Sequence, residues 1–153
     1  MRRTEKEVTD RSEIDNIVRS SRVCRLGMSD GELPYVVPLC FGYDGVAVYF
    51  HSATQGQKLE ILRRHPHVCL EFDVAGDLVQ GEQACAWGQS YRSAIAFGEA
   101  TFAQSPEEKR KGLRLLMAQY ADPDRSFSFA DAGLSRVVVI KVEIDQITGK
   151  RSA

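Results

Sequence analysis

A short polar segment in front of a helical pattern contains the residues best suited to hold an anion. It runs from His51 to Gln57, includes Ser52, and is followed by Lys58 in the first turn of the predicted helix. The helix dipole is positive there, so a lysine costs roughly a few tenths of a kcal/mol unless an anion is bound. Exposed N–H groups at a helix start commonly bind phosphate. The segment is therefore a candidate phosphate site, with a solvated lysine beside a capped loop as the alternative.

His51 is the histidine nearest in sequence to the candidate phosphate site, because it ends the strand pattern that leads into this segment. An imidazole titrates near neutral pH and can donate a proton to a substrate, although a histidine at a strand end is often only a hydrogen-bonded cap. His65 and His67 flank Pro66. They would need a third ligand to hold a metal ion, and the sequence indicates none. We predict no metal site.

The four cysteines are predicted to be free thiols. Cys24, Cys40, Cys69 and Cys85 are widely spaced and form no C-x-x-C pair. Cys40 could be a nucleophile only beside a base that lowers its pKa, and its apolar neighbours favour a buried structural thiol. The chain also lacks the G-x-S-x-G, Walker A, G-x-G-x-x-G and paired-carboxylate signatures. Nothing therefore favours a hydrolase or a nucleoside triphosphate enzyme.

A strand pattern precedes the polar segment and must position it. The residues from Pro34 to Tyr43 alternate with the two-residue period of a strand that has one packed face. Asp44 and Gly45 predict a type I′ turn, after which Val46 to His51 should return antiparallel to this first strand. Pro38 has no N–H group for a ladder hydrogen bond, so it is expected at a sheet edge or a bulge.

Three helices are predicted at the margins of the fold. Asp10 or Ser12 can cap the first, whose apolar residues lie on one stripe. The second follows the polar segment, with Thr54 and Gln57 at capping-box spacing. The third begins at Ser105, which is followed by proline and, three positions on, by glutamate.

The remaining patterns predict six or seven strands, mostly antiparallel. Asp73 to Gln83 lacks any periodicity and is expected to be a surface loop. Gly98 is expected at a bulge or a close approach, and Val137 to Ile144 is a clear strand. Because the strands do not alternate regularly with helices, the fold class is predicted to be mainly β, a small antiparallel barrel with about three peripheral helices.

Composition limits the class of protein and its partners. The 20 basic and 21 acidic residues leave a formal net charge of −1, so no overall field attracts nucleic acid or an anionic membrane. The N-terminus lacks the apolar run of a secretory signal, and no stretch approaches the ~20 apolar residues of a membrane span. We expect a single domain over residues 1–153, a cytoplasmic location, and neither nucleic acid nor a membrane as partner.

Several short motifs occur in an order and spacing that are more specific than any one of them. They are an initial M-R-R, R-L-G at Arg25–Gly27, V-V-P-L-C-F-G-Y at Val36–Tyr43, Y-F-H-S at Tyr49–Ser52, Gln57-Lys58 with Pro66 closing the helix, Y-R-S-A-I-A-F-G at Tyr91–Gly98, and I-T-G-K at Ile147–Lys150. Together they resemble the FMN-binding split-barrel superfamily of pyridoxamine 5′-phosphate oxidase. The greatest similarity is to its nitroimidazole-resistance group of flavoproteins, and it spans nearly the whole chain.

The resemblance implies a split barrel with FMN as cofactor. Carried over by position, it implies that Val36 to Phe41 passes the isoalloxazine ring, with Pro38, Leu39 and Cys40 in contact with the ring. It also implies that His51 and Ser52 lie near the ring and the ribityl chain, and that Gln57 and Lys58 hold the phosphate. Arg92 and Ser93 would approach the flavin from an adjoining strand. In this superfamily the flavin lies in a cleft between two subunits. A homodimer is therefore implied as well.

Differences between this sequence and that of the oxidase change the expected function. The oxidase has basic residues where this chain has Val36 and Phe41, an arginine where it has Gln57, and a C-terminal segment with Trp and Arg that is missing here. These differences argue against pyridoxamine phosphate oxidase activity. Two functions remain. The first is an FMN-dependent oxidoreductase of the nitroimidazole reductase type, which reduces small electron-poor acceptors and has His51 as the catalytic candidate. The second is a non-catalytic module that stores or senses a flavin, haem or another planar cofactor.

Overall fold

The computed structural model describes residues 4–152. The initial M-R-R motif therefore lies outside the described residues. The helices are α1 (Arg11–Ser20), α2 (Gln57–Arg64), α3 (Pro106–Tyr120) and the short α4 (Asp131–Leu134). The strands are β1 (Glu7–Val8), β2 (Cys24–Ser29), β3 (Pro34–Leu39), β4 (Gly42–Tyr43), β5 (Ala47–Ser52), β6 (His67–Val79), β7 (Gly88–Phe102) and β8 (Val138–Ser152).

The strands form one antiparallel sheet in the order β3-β2-β6-β7-β8-β5-β4, with β1 added on β8. The sheet curls around a core of inward-facing aliphatic and aromatic side chains, and α1 closes one end with Ile14, Ile17 and Val18. This confirms the predicted mainly β fold, an antiparallel split barrel with three longer helices at its margin. The strand count rises to eight because β1 and β4, of two residues each, are too short to leave a sequence pattern.

The sheet must curl because its two edges are joined by only two residues. β3 and β4 lie at opposite ends of the strand order, yet Cys40 and Phe41 alone separate them in the chain. Three peptide units span at most about 11 Å, so the two edges must lie close together. Phe41 is fully buried at this junction, with its ring 5.0 Å from that of Phe72 and its N–H donating to Tyr120 Oη at 3.1 Å.

The predicted hairpin after Pro34 is wrong in its pairing. β3 pairs with β2 along its whole length, whereas β5 pairs with β8 and contacts only the two-residue β4 on its other side. The turn is not type I′, because Gly45 alone has a positive φ and it occupies the first central position, as in type II′. The Asp44 carboxylate accepts the N–H groups of Val46 and Ala47 and fixes this turn.

Two irregular positions were predicted correctly. Pro38 lies in β3, which is an edge strand, so its missing N–H group leaves no gap in the sheet. Gly98 marks a register shift between β7 and β8, and a Cβ there would lie 1.9 Å from the carbonyl oxygen of Glu143. Only glycine permits that approach.

The predicted surface loop from Asp73 to Gln83 is mostly strand. β6 continues to Val79 and pairs with the start of β7, so only the residues between Val79 and Gly88 connect them. The clear strand expected to end at Ile144 likewise continues to Ser152. Both extensions contain glycine and charged residues, whose place in a sheet is decided by the strands beside them rather than by local propensity.

The N-terminal caps of two helices were also predicted correctly. Asp10 accepts the N–H groups of Ser12 and Glu13 at the start of α1, and Ser105 with Glu108 forms a complete capping box at α3. Among residues 4–152, no helix combines the length and the apolar character needed to cross a bilayer.

Phe41→Ala tests the junction between the sheet edges. Removing a fully buried phenyl ring should lower the free energy of unfolding by about 3–5 kcal/mol in a urea titration. Val46→Ala, a truncation at a 69% exposed position in the neighbouring turn, should change it by less than about 0.5 kcal/mol. Equal, small losses in both variants would show that the junction does not hold the sheet closed.

Candidate functional site

The start of α2 has donors that no side chain satisfies. Gly56 is the N-cap residue, with a φ of 137° that side-chain-bearing residues rarely adopt, and no side chain in the described part of the chain caps the helix. The predicted capping box of Thr54 and Gln57 is therefore wrong, because Thr54 lies two residues before the N-cap. The carbonyl of Gly56 accepts from Leu59 and Glu60, so the N–H groups of Gln57 and Lys58 are the free donors of the first turn.

Lys58 adds a positive charge to these donors. Its side chain is half-buried, and burial lowers the pKa of its ammonium group from the ordinary lysine value. Burial is the sole cause of that shift, and the ion pairs formed within residues 4–152 do not include Lys58. A cation at a helix N-terminus with no carboxylate beside it is unfavourable in the free protein. We call Gly56, Gln57 and Lys58 the anion cradle.

His51 and Ser52 end the strand that leads into the anion cradle. They pair with Val139 and Val138 of β8 and, as successive strand residues, face opposite sides of the sheet. His51 is exposed and Ser52 is half-buried. The two side chains therefore approach a ligand from different directions if both contact it.

The predicted ring contacts lie on the edge strand and at its end. Pro38 is exposed, whereas the side chain of Leu39 packs against the core, so Leu39 offers a ligand only its backbone. Cys40 is exposed, which corrects the expectation of a buried thiol. The reason is that Cys40 lies in the two-residue link between sheet edges rather than inside a strand. Edge strands such as β3 have unpaired backbone N–H and C=O groups on their free side.

Arg92 and Ser93 lie on β7, and β2 and β6 separate β7 from β3 in the sheet. Their approach to the flavin from an adjoining strand stays a prediction. Ser52 pairs with Val138 at one end of β8, whereas Ser93 pairs with Lys150, twelve residues further along that strand. Twelve strand residues span about 40 Å along the strand. Because the sheet is curled, this is a length along the chain rather than a straight distance, and Ser93 lines one cleft together with Val36 of β3.

Ser93 instead lines a cleft on the outer face of the sheet. This cleft has a volume of about 720 Å³ and lies between β3, β2, β6 and β7. Arg25 crosses it to form ion pairs with Glu71, at 2.8 Å, and with Asp73. Three apolar side chains are exposed on the same outer face, Val36, Ile95 and Phe97. We call these three residues the outer apolar patch.

Sequence reasoning missed the N-cap position of Gly56 and the outer apolar patch. The signal for Gly56 was a glycine directly before a helical pattern, where a serine, threonine or aspartate is the usual cap. The signal for the patch was the inverted size pattern of β7, in which Ala94 and Ala96 face the core while Ile95 and Phe97 face outward. Within residues 4–152, no group of three or more His, Cys, Asp or Glu side chains is arranged to hold a metal ion.

Comparison with known proteins gives one family and a set of similar structures. The family model for pyridoxamine 5′-phosphate oxidase matches residues 10–151. The structure of a proposed 5-nitroimidazole antibiotic resistance protein from Bacteroides thetaiotaomicron is 36% identical, with a TM-score of 0.84, over 95% of this chain and 86% of that chain. Among curated proteins, none matches this chain significantly.

Two further structures show the same fold at lower identity. The flavocytochrome Anf3 from Azotobacter vinelandii is 20% identical, with a TM-score of 0.87, over 100% of this chain and 72% of that chain. The FAD and heme binding protein from Mycobacterium smegmatis is 20% identical, with a TM-score of 0.86, over 96% and 73%. At that identity the likeness establishes the fold alone.

Replacing the charge of Lys58 should stabilise the ligand-free protein. Lys58→Met keeps an unbranched apolar stem and removes a cation from the positive end of α2, so the free energy of unfolding in urea should rise by about 0.3–1 kcal/mol. Arg64→Met makes the same charge change in the last turn of α2, where a cation is favourable, and should lower it by a similar amount. A loss of stability in Lys58→Met would mean that Lys58 serves the fold.

Proposed function

Because the chain belongs to the pyridoxamine 5′-phosphate oxidase family, we propose that it binds FMN and is an oxidoreductase for small electron-poor acceptors, such as nitroaromatic compounds. The observation that carries this proposal is the anion cradle, a half-buried lysine without a counter-ion at an uncapped helix start. Bound FMN supplies the redox chemistry, and the protein supplies binding, orientation and protons.

The phosphate of FMN is assigned to the anion cradle. The free N–H groups of Gln57 and Lys58 can each donate a hydrogen bond to a phosphate oxygen, and the Lys58 ammonium adds a charge-assisted one. The Ser52 hydroxyl, on the strand that leads into the cradle, is the further polar group that we assign to the ribityl chain or phosphate. Position 56 lies in open space, because a Cβ there would meet no atom within 4 Å, and glycine is favoured there by its φ of 137°.

The isoalloxazine ring is assigned to the free side of β3. The unpaired backbone groups of an edge strand can hydrogen-bond the polar atoms of a flat heterocycle without requiring any particular side chain. Pro38, Leu39 and Cys40 form the end of that strand and the link beyond it. This assignment explains how Leu39 can take part although its side chain packs against the core.

The acceptor class rests on the 36% identical relative, whose name associates it with 5-nitroimidazole resistance. Pyridoxamine phosphate is a poorer candidate on physical grounds. One of the basic residues of the oxidase is replaced by Phe41, which is fully buried among Phe72 and Tyr120 and cannot contact a substrate. Position 41 therefore supplies no positive charge to select a second phosphorylated ligand.

His51 is proposed as the proton donor to the acceptor. It is exposed at the end of β5, one residue before Ser52, so its imidazole is available to a molecule bound beside the flavin. Reduction of a nitro group consumes protons as well as electrons, and an imidazole can supply them near neutral pH. Val139, its cross-strand neighbour, is buried and not ionisable, so it cannot take this role.

A homodimer is proposed to complete the site. Ser52 and Ser93 pair with residues twelve positions apart along β8. The resemblance to the family implies a flavin cleft between two subunits, so we assign the two groups of contacts to different copies of the chain. The outer apolar patch, Val36, Ile95 and Phe97, gives such a pair of copies a surface to bury.

The alternative function is a non-catalytic module that stores or senses a planar cofactor. It is supported by the names of the more distant structures, one of which binds FAD and heme. The absorption spectrum of the purified protein distinguishes the cofactors, because flavin and haem absorb differently. An assay for NAD(P)H-driven reduction of a nitroaromatic compound by the flavin-loaded protein then distinguishes an enzyme from a storage or sensor module.

Lys58→Met should weaken FMN binding about tenfold to a hundredfold, which corresponds to a lost charged hydrogen bond of about 1.5–3 kcal/mol. Arg64→Met, with the same change in charge at the other end of α2, should leave the dissociation constant unchanged. Because burial lowers the pKa of Lys58, wild-type affinity should decline with rising pH earlier than an ordinary lysine would cause. Equal FMN affinities in Lys58→Met and Arg64→Met would show that the anion cradle does not bind the phosphate.

His51→Ala should slow acceptor reduction per bound flavin by about 10²-fold if the imidazole is a general acid. FMN affinity and the melting temperature should stay close to those of wild type, because His51 is exposed. The measurement is steady-state turnover normalised to bound FMN, beside a thermal melt. A lowered melting temperature with unchanged normalised turnover would leave His51 as a strand-end cap.

A further inference from the structure

β5 continues past the point where β4 ends, so a gap opens in the ladder between them. The last pair before the junction is Gly42 with Tyr49. The same register would bring Cys40 opposite His51, but no pair forms there among the described residues. We call the space between Cys40 and His51 the ladder gap.

The ladder gap has backbone hydrogen-bonding groups on both sides. Asp44 donates its N–H to the carbonyl of Ala47 at 3.2 Å, and in an antiparallel ladder every second residue directs its polar groups to the same side. Cys40 lies four residues before Asp44, and His51 lies four residues after Ala47. The N–H and C=O groups of both therefore face the ladder gap. The backbone hydrogen bonds found among residues 4–152 include none from these four groups.

On the other side of the same link, a tyrosine hydroxyl takes the place of one ladder hydrogen bond. The register of β2 and β3 ends with Cys24 opposite Leu39. Two residues further along, Phe41 would donate directly to the carbonyl of Arg22. Instead the Tyr120 hydroxyl lies between them, accepting from the N–H of Phe41 at 3.1 Å and donating to the carbonyl of Arg22 at 2.9 Å. At this point the chain passes from pairing with β2 to pairing with β5.

The packing of α3 fixes the position of this hydroxyl. A Cβ at Gly42 would lie 2.5 Å from the backbone of Leu115, so α3 and β4 are in direct contact. At the end of α3, the Gln119 amide donates to the carbonyl of Ser21 at 3.1 Å. Burial raises the pKa of Tyr120 to about 12, so its hydroxyl stays protonated near neutral pH and can accept and donate at the same time.

Tyr120 thereby orients a carbonyl group on the far side of the link. The peptide group between Cys40 and Phe41 is trans and planar, so its C=O points away from its N–H. The N–H of Phe41 is held by Tyr120 on the side of β2. The C=O of Cys40 is therefore directed to the opposite side, into the ladder gap.

We propose that Tyr120 is a positioning residue for the flavin ring, because it holds the backbone carbonyl of Cys40 toward the imide edge of the isoalloxazine. This inference rests on the proposed function and adds a residue that is not among the predicted contacts. The imide edge has an N3–H donor between two carbonyl acceptors. The C=O of Cys40 accepts from N3–H, and the N–H of Cys40 donates to a neighbouring ring carbonyl. Haem has no imide, so the ladder gap selects a flavin.

A flavin methylated at N3 tests the contact in the wild-type protein. 3-Methyl-FMN keeps the phosphate, the ribityl chain and the ring system, and lacks only the imide proton. We expect it to bind at least about tenfold more weakly than FMN, because the Cys40 carbonyl loses its donor and stays unpaired. Fluorescence titration of the full-length protein with each flavin gives the two dissociation constants.

Tyr120→Phe tests the positioning role. It removes one oxygen atom and keeps the ring that packs edge-on against Phe41, with the centroids 6.5 Å apart. We expect FMN to bind about threefold to tenfold more weakly, and the preference for FMN over 3-methyl-FMN to fall below about threefold, because the carbonyl is no longer held toward the ring. If this variant melts below the assay temperature, the titrations are repeated in sucrose, which stabilises the folded state.

Tyr43→Phe is the matched control. The Tyr43 hydroxyl donates to Asp15 at 2.7 Å, so its loss also removes a partly buried hydrogen bond and should lower the melting temperature. Tyr43 lies in β4, beyond the ladder gap, and its hydroxyl does not contact the link. We expect this variant to keep the wild-type preference for FMN over 3-methyl-FMN.

The outcomes separate this inference from the proposed function. Wild-type protein that binds FMN and 3-methyl-FMN equally well overturns the assignment of the imide edge while leaving flavin binding intact. A Tyr120→Phe variant that keeps the full wild-type preference overturns the positioning role, because Tyr120 then serves the fold alone. Wild-type protein that does not take up FMN overturns the proposed function, and the inference with it.

Discussion

The structure depends on a connection of two residues between the opposite edges of its sheet. Cys40 and Phe41 leave the chain too little length to join β3 and β4 unless the sheet curls until its edges meet. Phe41 fills the junction. The Tyr120 hydroxyl accepts a hydrogen bond from the backbone N–H of Phe41 and donates one to the carbonyl of Arg22. The same closure sets the free side of β3 at the split of the barrel, near the β4–β5 pair that leads into α2. The candidate flavin site is thus a consequence of how the barrel closes.

The anion cradle shows a conflict between stability and function within one helix turn. A glycine cap, free N–H groups and a half-buried lysine without a carboxylate all make α2 less stable in the ligand-free protein. The other long helices, α1 and α3, begin with aspartate and serine caps that satisfy the same groups. An anion would satisfy the donors of α2 and offset the charge of Lys58. Local instability at the start of one long helix, while the other two long helices are capped, is typical of a binding site.

Sequence patterns predicted the local features of the structure correctly and failed to predict the features that depend on distant strands. The caps at Asp10 and Ser105, the edge position of Pro38 and the bulge at Gly98 follow from one residue and its neighbours. Three features follow from the order of strands in the sheet, which periodicity does not encode: the partner of β3, the extension of β6 to Val79 and the exposure of Cys40. For the candidate site, the polar segment at Lys58 was visible in the sequence. The position of Ser93, which pairs near the other end of β8, was not.

The central claim is that the start of α2 binds the phosphate of a flavin, and a comparison of FMN with riboflavin tests it most directly. The two molecules share the ring and the ribityl chain, so their difference in affinity measures the phosphate alone. Dissociation constants for both should be measured for wild-type protein by fluorescence titration. We expect FMN to bind at least about tenfold more tightly than riboflavin, because the phosphate adds two or more hydrogen bonds to a charged group. Equal affinities for FMN and riboflavin would contradict it.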